Sequence, residues 1–341
     1  MTDRTTMADV ARTAGVSQMT VSRVVNGKGD VSEATRQHVL DVIERLGYRP
    51  SGIARGLATQ RTGTLGLVVP DVANPFFSDV ARGVEHVAHA EGYNVFLCNT
   101  EEDAERELDV LRSLEEKRVD GLVLCSSRLS EDELLEVVAH HHSVVLVNRR
   151  MIGERVRSVL LDDQYGGLLA TRHLLQTGHQ SVGYLAGPEA SHSGRLRARG
   201  YRAALAGAGL PYYADWVRPC APVVEGGYEA TGDLLETHPD LTALFCYNDL
   251  VAVGALHACA EMGLRVPQDV AVVGHDGIPL SAWVTPPLTT CLVPRYELGG
   301  QAVQLLLEQI EGSSGGRQEV VLQSELVVRA SAPGQEQEDA A

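Results

Sequence analysis

Two periodicities divide the chain into a short head and a long body. Over residues 1–50, apolar residues recur three or four positions apart, which is the spacing of amphipathic helices. From Leu65 onward, short β-branched runs such as 65–69 alternate with amphipathic stretches such as 76–91. We therefore predict an all-α head and an α/β body built on parallel sheets.

The head carries the signals that start and stop three helices. Thr6 followed by Asp9 is a capping pair that begins the first helix, and Gly15 ends it. Ser17 caps the second helix and Ser32 caps the third. The residues expected to face their shared core are Val10, Ala11, Ala14, Val21, Val24, Val25, Val39, Leu40, Ile43 and Leu46.

The second helix has side chains suited to reading DNA. Two short helices joined by a tight glycine turn, with polar residues leading the second, fit a major groove about 12 Å wide. Gln18 can bind adenine, Arg23 can bind guanine, and Met19 can pack on a thymine methyl group. The alternative is a plain helical bundle, since short helices give similar patterns. The candidate DNA-contacting residues, including four from the next segment, are Thr6, Ser17, Gln18, Met19, Thr20, Ser22, Arg23, Asn26, Ser51, Ala54, Arg55 and Leu57.

Residues 51–61 form a candidate hinge between head and body. Gly52 and Gly56 each disfavour an isolated helix by about 1 kcal/mol relative to alanine. Ile53 and Leu57, one turn apart, can pair with a second copy of themselves when two chains are held on DNA. Leu57 would then act as an apolar wedge in the minor groove. A flexible linker is the alternative that the composition equally favours.

The body, residues 62–331, repeats the βαβ unit often enough for two lobes of about 130 residues each. We assign lobe 1 to about 62–161 and 292–321, and lobe 2 to about 162–291 and 322–331. Residues 332–341 are expected to form an acidic disordered tail. Each lobe should be a doubly wound parallel sheet, and small molecules bind at the carboxyl ends of such strands.

Polar and aromatic side chains gather where the predicted strands end. Carboxylates, a bidentate arginine and an aromatic face suit a ligand rich in hydroxyl groups, because each buried hydroxyl needs a donor and an acceptor. For a single residue such as Asp249, a helix cap is an equally good explanation. The candidate effector-binding residues are Asp71, Asn74, Phe76, Asn148, Arg197, Asn248, Asp249, Asp276 and Trp283.

Charge is distributed unevenly along the chain. The net charge is -16, yet residues 1–61 contain nine Lys and Arg against six Asp and Glu, which leaves -19 on the rest. An acidic body is repelled by phosphate, so DNA contact is expected from the weakly basic head alone. Affinity should then rest on geometry and dimerisation.

Cysteine usage and hydropathy indicate the compartment. Six cysteines lie far apart without a C-x-x-C pair, which predicts buried thiols in a reducing cytosol. No apolar leader is present, and no run approaches the roughly 18 residues of a membrane span. We therefore expect a cytoplasmic, nucleoid-associated protein.

Motifs for catalysis and metal binding are weak. No G-x-S-x-G, H-E-x-x-H or G-x-x-x-x-G-K is present, and residues 140–142, three consecutive histidines, are more typical of a solvated helix end than of a metal site. We expect no enzymatic activity, no cofactor and no metal. Two alternatives stay open: a solute-binding receptor, which the body alone would fit, and a sugar-modifying enzyme with His275 and Asp276 as an acid-base pair.

Several segments together closely resemble the lactose repressor (LacI) family. The resemblance implies a homodimeric bacterial transcription factor that binds pseudo-palindromic operator DNA through a helix-turn-helix and a hinge helix. It also implies a body like a type I periplasmic binding protein that senses a sugar-like effector. The similar segments are 10–11, 22–27, 46–50, 54–57, 71–77, 248–249, 272–276 and 287–290.

The same resemblance assigns roles to individual residues. Gln18, Met19 and Arg23 would read bases, and Leu57 would be the wedge. Gly56 stands where relatives often have serine, and the tail lacks the leucine heptads of tetrameric relatives. His275 replaces the usual aromatic residue before Asp276, a position where the chain departs from its relatives. A carbohydrate or glycoside is the first expectation for the effector, and a purine corepressor is the second. The residues implied to line the effector cleft are Asn74, Phe76, Asn148, Arg197, Asn248 and Asp276.

Overall fold

A computed structural model describes residues 5–27, 29–48, 61–151, 156–312 and 318–334. The chain separates into two compact units, Met1–Gly63 and Thr64–Ala341. Within the described residues, no helix is both long and apolar enough to cross a membrane. The candidate hinge residues Ser51, Ala54, Arg55 and Leu57 lie outside the described residues.

The first unit contains the three predicted helices, α1 (Met7–Ala14), α2 (Gln18–Val25) and α3 (Glu33–Arg45). The Thr6 side chain accepts a hydrogen bond from the Asp9 backbone, and the Asp9 carboxylate accepts one from the Thr6 backbone, which confirms the capping pair. Gly15 adopts a left-handed φ of 66°, so the chain turns sharply between α1 and α2.

The core-facing stripe of α3 differs from the prediction at one position. Val39 and Val42 are buried, whereas Leu40 is 41 % exposed. Val42 lies three residues from Val39 and therefore on the same face, while Leu40 is turned about 100° away from Val39. Prediction of Leu40 as a core residue was therefore wrong.

The second unit alternates strands and helices as predicted. Its strands are β1 (Thr64–Val69), β2 (Asn94–Asn99), β3 (Gly121–Cys125), β4 (Val144–Val147), β5 (Val156–Leu161), β6 (Val182–Ala186), β7 (Val217–Pro219), β8 (Ala243–Cys246), β9 (Ala271–Asp276), β10 (Thr289–Leu292), β11 (Glu319–Leu322) and β12 (Glu325–Val327). Its α-helices are α4 (Pro75–Ala90), α5 (Ala104–Glu116), α6 (Glu131–His140), α7 (Asp163–Gln176), α8 (His192–Gly207), α9 (Val224–Thr237), α10 (Asp249–Glu261) and α11 (Arg295–Ile310).

Two six-stranded sheets form the two lobes. The strand order is β11-β5-β4-β3-β1-β2 in lobe 1 and β12-β10-β9-β8-β6-β7 in lobe 2. All pairings are parallel except β10 with β12, so lobe 2 departs from the expected all-parallel sheet at one edge. The chain enters β12 directly after β11 leaves lobe 1 at the carboxyl end of its strands. It therefore runs away from that end, opposite to its neighbours.

Polar side chains cap the starts of two helices of lobe 2. Helix α8 begins at His192, since the Ser191 side chain accepts a hydrogen bond from the Gly194 backbone. Helix α7 begins at Asp163, where the Asp162 side chain accepts from the Tyr165 backbone. The exact start of α8 matters, because it places Ser193 in the first turn.

Glycines let α7 and α8 approach closely enough to position the candidate site. A Cβ atom on Gly167 would lie 2.3 Å from the backbone oxygen of Arg197, and one on Gly200 would lie 2.1 Å from that of Gln164. Any larger residue would force the helices apart. The close contact holds Asp163 on α7 beside Arg197 on α8.

Candidate functional site

The outer face of α2 presents the predicted DNA-reading side chains. Gln18 and Arg23 are exposed, and Met19 is 66 % exposed, while Val21 and Val24 of the same helix are buried. Singly exposed apolar side chains are common on protein surfaces, so Met19 is notable only for its place beside Gln18 on the outer face of α2. The helix thus offers one apolar and two polar side chains to a groove.

Four other candidate DNA contacts are held by local hydrogen bonds. The Ser17 hydroxyl accepts from the Thr20 backbone at 3.1 Å and lies 2.9 Å from the Thr20 hydroxyl. The amide nitrogen of Asn26 donates to the Ser22 hydroxyl at 3.2 Å. These contacts fix both ends of α2 and so set the direction of its exposed face. Thr6 does the same for α1.

A cavity of about 350 Å³, open to solvent, lies at the carboxyl ends of the strands where the two lobes meet. It brings together six of the predicted effector residues and seven others. Its lining is Asn74, Phe76, Phe77, Glu102, Ser126, Arg128, Asn148, Ser193, Arg197, Pro222, Tyr247, Asn248 and Asp276.

Arg197 is the centre of the cavity wall in lobe 2. Its guanidinium donates to the Asp163 carboxylate at 2.8 Å, to the Tyr247 backbone oxygen at 2.6 Å and to the Asp276 carboxylate at 3.4 Å. The guanidinium also lies 5.0 Å from the centre of the Tyr247 ring. Burial alone would lower the pKa of Arg197, but Asp163 and Asp276 outweigh burial and raise it. Arg197 is therefore always charged.

Three polar groups of the lining keep unused hydrogen-bonding capacity. In Asn74 and Asn148 the side-chain oxygen accepts from a backbone N–H, at 2.9 Å and 3.3 Å, while the amide nitrogen has no partner among the described residues. In Asp276, Oδ1 faces Arg197 and His275, while Oδ2 has no partner in the described part of the chain. Lobe 1 thus offers donors, and lobe 2 offers an acceptor.

The opposite wall contains a second buried arginine that the sequence alone did not suggest. Arg128 donates to the Glu102 carboxylate and, at 2.9 Å, to the Ser126 backbone oxygen, and its own backbone N–H donates to the buried Glu107. Arg128 lies three residues after the end of β3, and Asn148 follows β4 directly. Strand-end position was therefore the available signal for Arg128. No sequence signal indicated Glu102 or Tyr247, and only their contacts in the structure identify them as cavity residues.

Aromatic rings form the apolar part of the lining. The rings of Phe76 and Phe77 meet edge to face with centroids 5.0 Å apart. Both side chains are buried in lobe 1, at the start of α4, where the Asn74 cap fixes their direction. Such rings give a sugar ring or a planar base a surface to pack against.

Three predicted effector residues do not reach the cavity. Trp283 is 84 % exposed and ends a short 3-10 helix, so its ring lies in solvent. Asp71 accepts a hydrogen bond from the Ala73 backbone in a tight turn. Asp249 is fully buried, and it accepts from the Ile278 backbone at 2.7 Å and from the Thr290 hydroxyl at 2.5 Å. Asp249 therefore holds the segment after Asp276 in place.

Asn248 lines the cavity, but both polar groups of its side chain already form hydrogen bonds within the protein. Its oxygen caps α10 by accepting from the Val251 backbone at 2.8 Å, and its nitrogen donates to the Pro222 backbone oxygen at 3.1 Å. The capping explanation considered for such residues thus holds for Asn248. It shapes the wall and orients Pro222.

His275 does not form an acid-base pair facing the cavity. The ring is fully buried, and its Nδ1 lies 3.2 Å from the Asp276 carboxylate, which can only accept. Burial and the positive charge of Arg197 lower the pKa of His275, so the neutral form is favoured. Among the described residues, no group of His, Cys, Asp and Glu is arranged to hold a metal ion.

These features define a ligand-responsive DNA-binding regulator. Residues 6–51 match the model of the bacterial regulatory proteins of the lacI family, and residues 62–329 match the periplasmic binding proteins and sugar binding domain of the LacI family. The chain is 38 % identical over 336 residues to the HTH-type transcriptional repressor PurR of Aliivibrio fischeri (strain MJ11), which covers 96 % of this chain and 98 % of PurR.

Other relatives point to the same class. The chain is 38 % identical over 335 residues to the ribose operon repressor of Halalkalibacterium halodurans, with 97 % and 98 % of the two chains covered. Among solved structures, a lac repressor dimer bound to operator and the anti-inducer ONPF aligns with a TM-score of 0.86 at 29 % identity, covering 97 % and 100 % of the chains. The CelR-cellobiose complex aligns with a TM-score of 0.73 at 33 % identity, covering 96 % and 100 %.

The chain therefore belongs to the LacI family. It is a DNA-binding transcriptional repressor and not an enzyme, and its partners are operator DNA, a second copy of itself and a small-molecule effector. The solute-receptor alternative is excluded by the match of the head to the regulatory-protein model.

Asp249 gives the first prediction, a pH dependence of stability. Burial, and then the charge of Asp276, raise the pKa of Asp249 to about 8 in the folded protein. The unfolded chain loses this proton near pH 4, so the folded state loses stability as the pH rises from about 4 to about 8. Asp249→Asn removes this dependence. The stability of the variant relative to wild type should rise by up to about 1.4 kcal/mol per pH unit between pH 5 and 7.

Urea unfolding at pH 5, 6 and 7 measures the difference. The exposed Asp240→Asn, also in lobe 2, is the control and should give a difference that does not change with pH. A pH-independent difference for Asp249→Asn would show that Asp249 is ionised in the folded protein.

Proposed function

We propose that this repressor binds a sugar or glycoside in the cavity between its lobes and that binding changes its affinity for a pseudo-palindromic operator. The observation that carries the proposal is the distribution of unused polar groups: amide donors from Asn74 and Asn148 in lobe 1 and the free Asp276 Oδ2 in lobe 2. A polyol can satisfy both kinds of group at once, because each hydroxyl donates and accepts.

Charge within the cavity also supports a hydroxyl-rich ligand. Arg197 is paired with Asp163 and Asp276, and Arg128 is paired with Glu102. The charged groups of the lining are thus neutralised by one another, and they serve as strong, directional hydrogen-bond partners. The edge-to-face rings of Phe76 and Phe77 supply the apolar contact.

A ligand held by both lobes favours the arrangement of lobes in which all its hydrogen bonds form. The effector can change DNA affinity only to the extent that its own affinity differs between this arrangement of the lobes and the alternative arrangement. The site of action is the chromosome, in the cytoplasm and associated with the nucleoid. We propose that residues 51–61, which join head and body in the chain, respond to the change in the arrangement of the lobes.

A purine is the second candidate effector, and the 38 % identity to PurR favours it. The ribose operon repressor matches to the same degree, so identity does not decide between the two. The aromatic pair could stack on a base. The effector screen below therefore includes both chemical classes.

Arg23 gives the test of DNA reading. Operator duplexes are first selected from random sequences by the wild-type chain. Arg23→Ala should weaken binding to this operator by about 1–3 kcal/mol and relax the preference at one base position, with a much smaller effect on random duplex. Competition titration at fixed salt measures both affinities.

Arg45→Ala removes the same charge from the exposed end of α3 and is the control. It should weaken operator and random duplex alike. Equal loss on both duplexes for Arg23→Ala would contradict the assignment of Arg23 as a base-reading residue.

Asp276 gives the test of the effector site. Sugars, glycosides, polyols and nucleobases are screened by the thermal unfolding midpoint of the full chain, since a ligand at 100 times its dissociation constant adds about 2.7 kcal/mol of stability. For the ligand found, Asp276→Asn should lower affinity at least about tenfold, because it replaces a charged acceptor. Asp240→Asn is the control. An unchanged affinity in Asp276→Asn would place the ligand elsewhere.

A further inference from the structure

Two arginines, one from each lobe, lie next to cavity residues in the chain. Arg149 follows the cavity residue Asn148 in lobe 1, and Arg195 lies in the first turn of α8 in lobe 2, two residues after the cavity residue Ser193. We call Arg149 and Arg195 the cationic rim. After burial, the positive charge of Arg195 is the largest influence that lowers the pKa of Arg149. The pKa of His192, in the same turn as Arg195, is lowered by burial, then by the charge of Arg149 and then by that of Arg195, so its neutral form is favoured.

The cationic rim lacks the carboxylate partners that neighbouring arginines have. Arg149 donates to the Leu129 backbone oxygen at 3.1 Å, and Arg195 donates to the Glu189 backbone oxygen at 2.8 Å. Within the described residues, neither of the two rim arginines forms an ion pair. By contrast, the adjacent Arg150 has Glu319 as its ion-pair partner. Glu131 and Glu107 act on Arg149 only through charge interactions at longer range.

Arg195 lies at the N-terminus of a long helix, and the same turn contains a hydroxyl group that has no hydrogen-bond partner among the described residues. Helix α8 has 16 residues, so its first-turn N–H groups and its dipole favour an anion. The Ser193 side chain lines the cavity and is 6 % exposed, and its buried hydroxyl has no hydrogen-bond partner among the described residues. A buried hydroxyl without a partner is unfavourable, and a ligand that accepts a hydrogen bond from it satisfies it.

We propose that the effector carries an anionic group, a phosphate ester or a carboxylate, which binds between Arg149 and the first turn of α8 and accepts a hydrogen bond from Ser193. This inference rests on the proposed function and narrows the effector to sugar phosphates or sugar acids. An anion at this point removes the repulsion between Arg149 of one lobe and Arg195 of the other. It therefore favours the arrangement in which the lobes hold the ligand together.

Inorganic phosphate tests the subsite without any assumption about the sugar. At constant ionic strength set with chloride, phosphate should raise the unfolding midpoint of the full chain in a saturable way. Arg149→Gln and Arg195→Gln should each weaken this response about tenfold, since each removes a charge-assisted contact. Arg195 is exposed, so its variant retains the fold even if the buried Arg149 variant does not.

Arg199→Gln is the matched control, because it removes one positive charge from the exposed face of the same helix. It should respond to phosphate like wild type. The inference would be overturned if phosphate did not raise the unfolding midpoint of wild type, or if Arg199→Gln reduced the response as much as Arg195→Gln does.

Pairs of ligands then separate this inference from the proposed function. Each neutral sugar is compared with its phosphate ester and with its uronic or aldonic acid, by affinity and by effect on operator binding. The inference expects one anionic member to bind at least about tenfold more tightly than its neutral parent, with the difference lost in Arg195→Gln. Tight binding of a neutral sugar with no preference for its anionic forms would overturn the inference and leave the proposed function intact. Phosphate binding that depends on Arg149 and Arg195, without any sugar affecting operator binding, would support the anion subsite and refute the sugar-responsive function.

Discussion

The buried guanidinium of Arg197 is the constraint on which the effector site depends. A charge removed from water is tolerated only when nearly all its hydrogen bonds are made. Asp163 from α7, the Tyr247 backbone oxygen after β8 and Asp276 at the end of β9 supply those bonds. One side chain thereby fixes three segments of lobe 2 relative to one another. The planar fork of an arginine can do this, whereas the single ammonium of a lysine cannot.

The two lobes present different kinds of groups to the cavity. In lobe 2 the polar network is closed except for one carboxylate oxygen of Asp276, and in lobe 1 the amide nitrogens of Asn74 and Asn148 remain available. A ligand that satisfies both sets must contact both lobes at once. Its binding energy then depends on how the lobes are arranged, which is the requirement for control of DNA binding by an effector.

Local signals in the sequence were sufficient for most of the fold. The caps at Thr6 and Ser17 and the βαβ rhythm predicted elements whose ends differ by a few residues from those observed. Strand-end position predicted Asn74 and Asn148 as cavity residues, because parallel strands end at one edge. It failed for Asp249, since a strand-end carboxylate can equally support the backbone. Prediction of Trp283 as a cavity residue also failed, because its position depends on a 3-10 helix that the hydrophobic periodicity does not predict. The pairing of Arg128 with Glu102 is long-range in the chain, and a single sequence does not reveal it.

The central claim is that one protein couples effector binding in the cavity to operator binding by the head. Thermodynamic linkage requires that the effector change operator affinity and the operator change effector affinity by the same factor. The most direct measurement is therefore the dissociation constant of the effector for the full chain, with and without saturating operator duplex, beside the reciprocal titration. We expect the two factors to agree and to differ clearly from one. An effector affinity that is the same with and without operator would contradict the account.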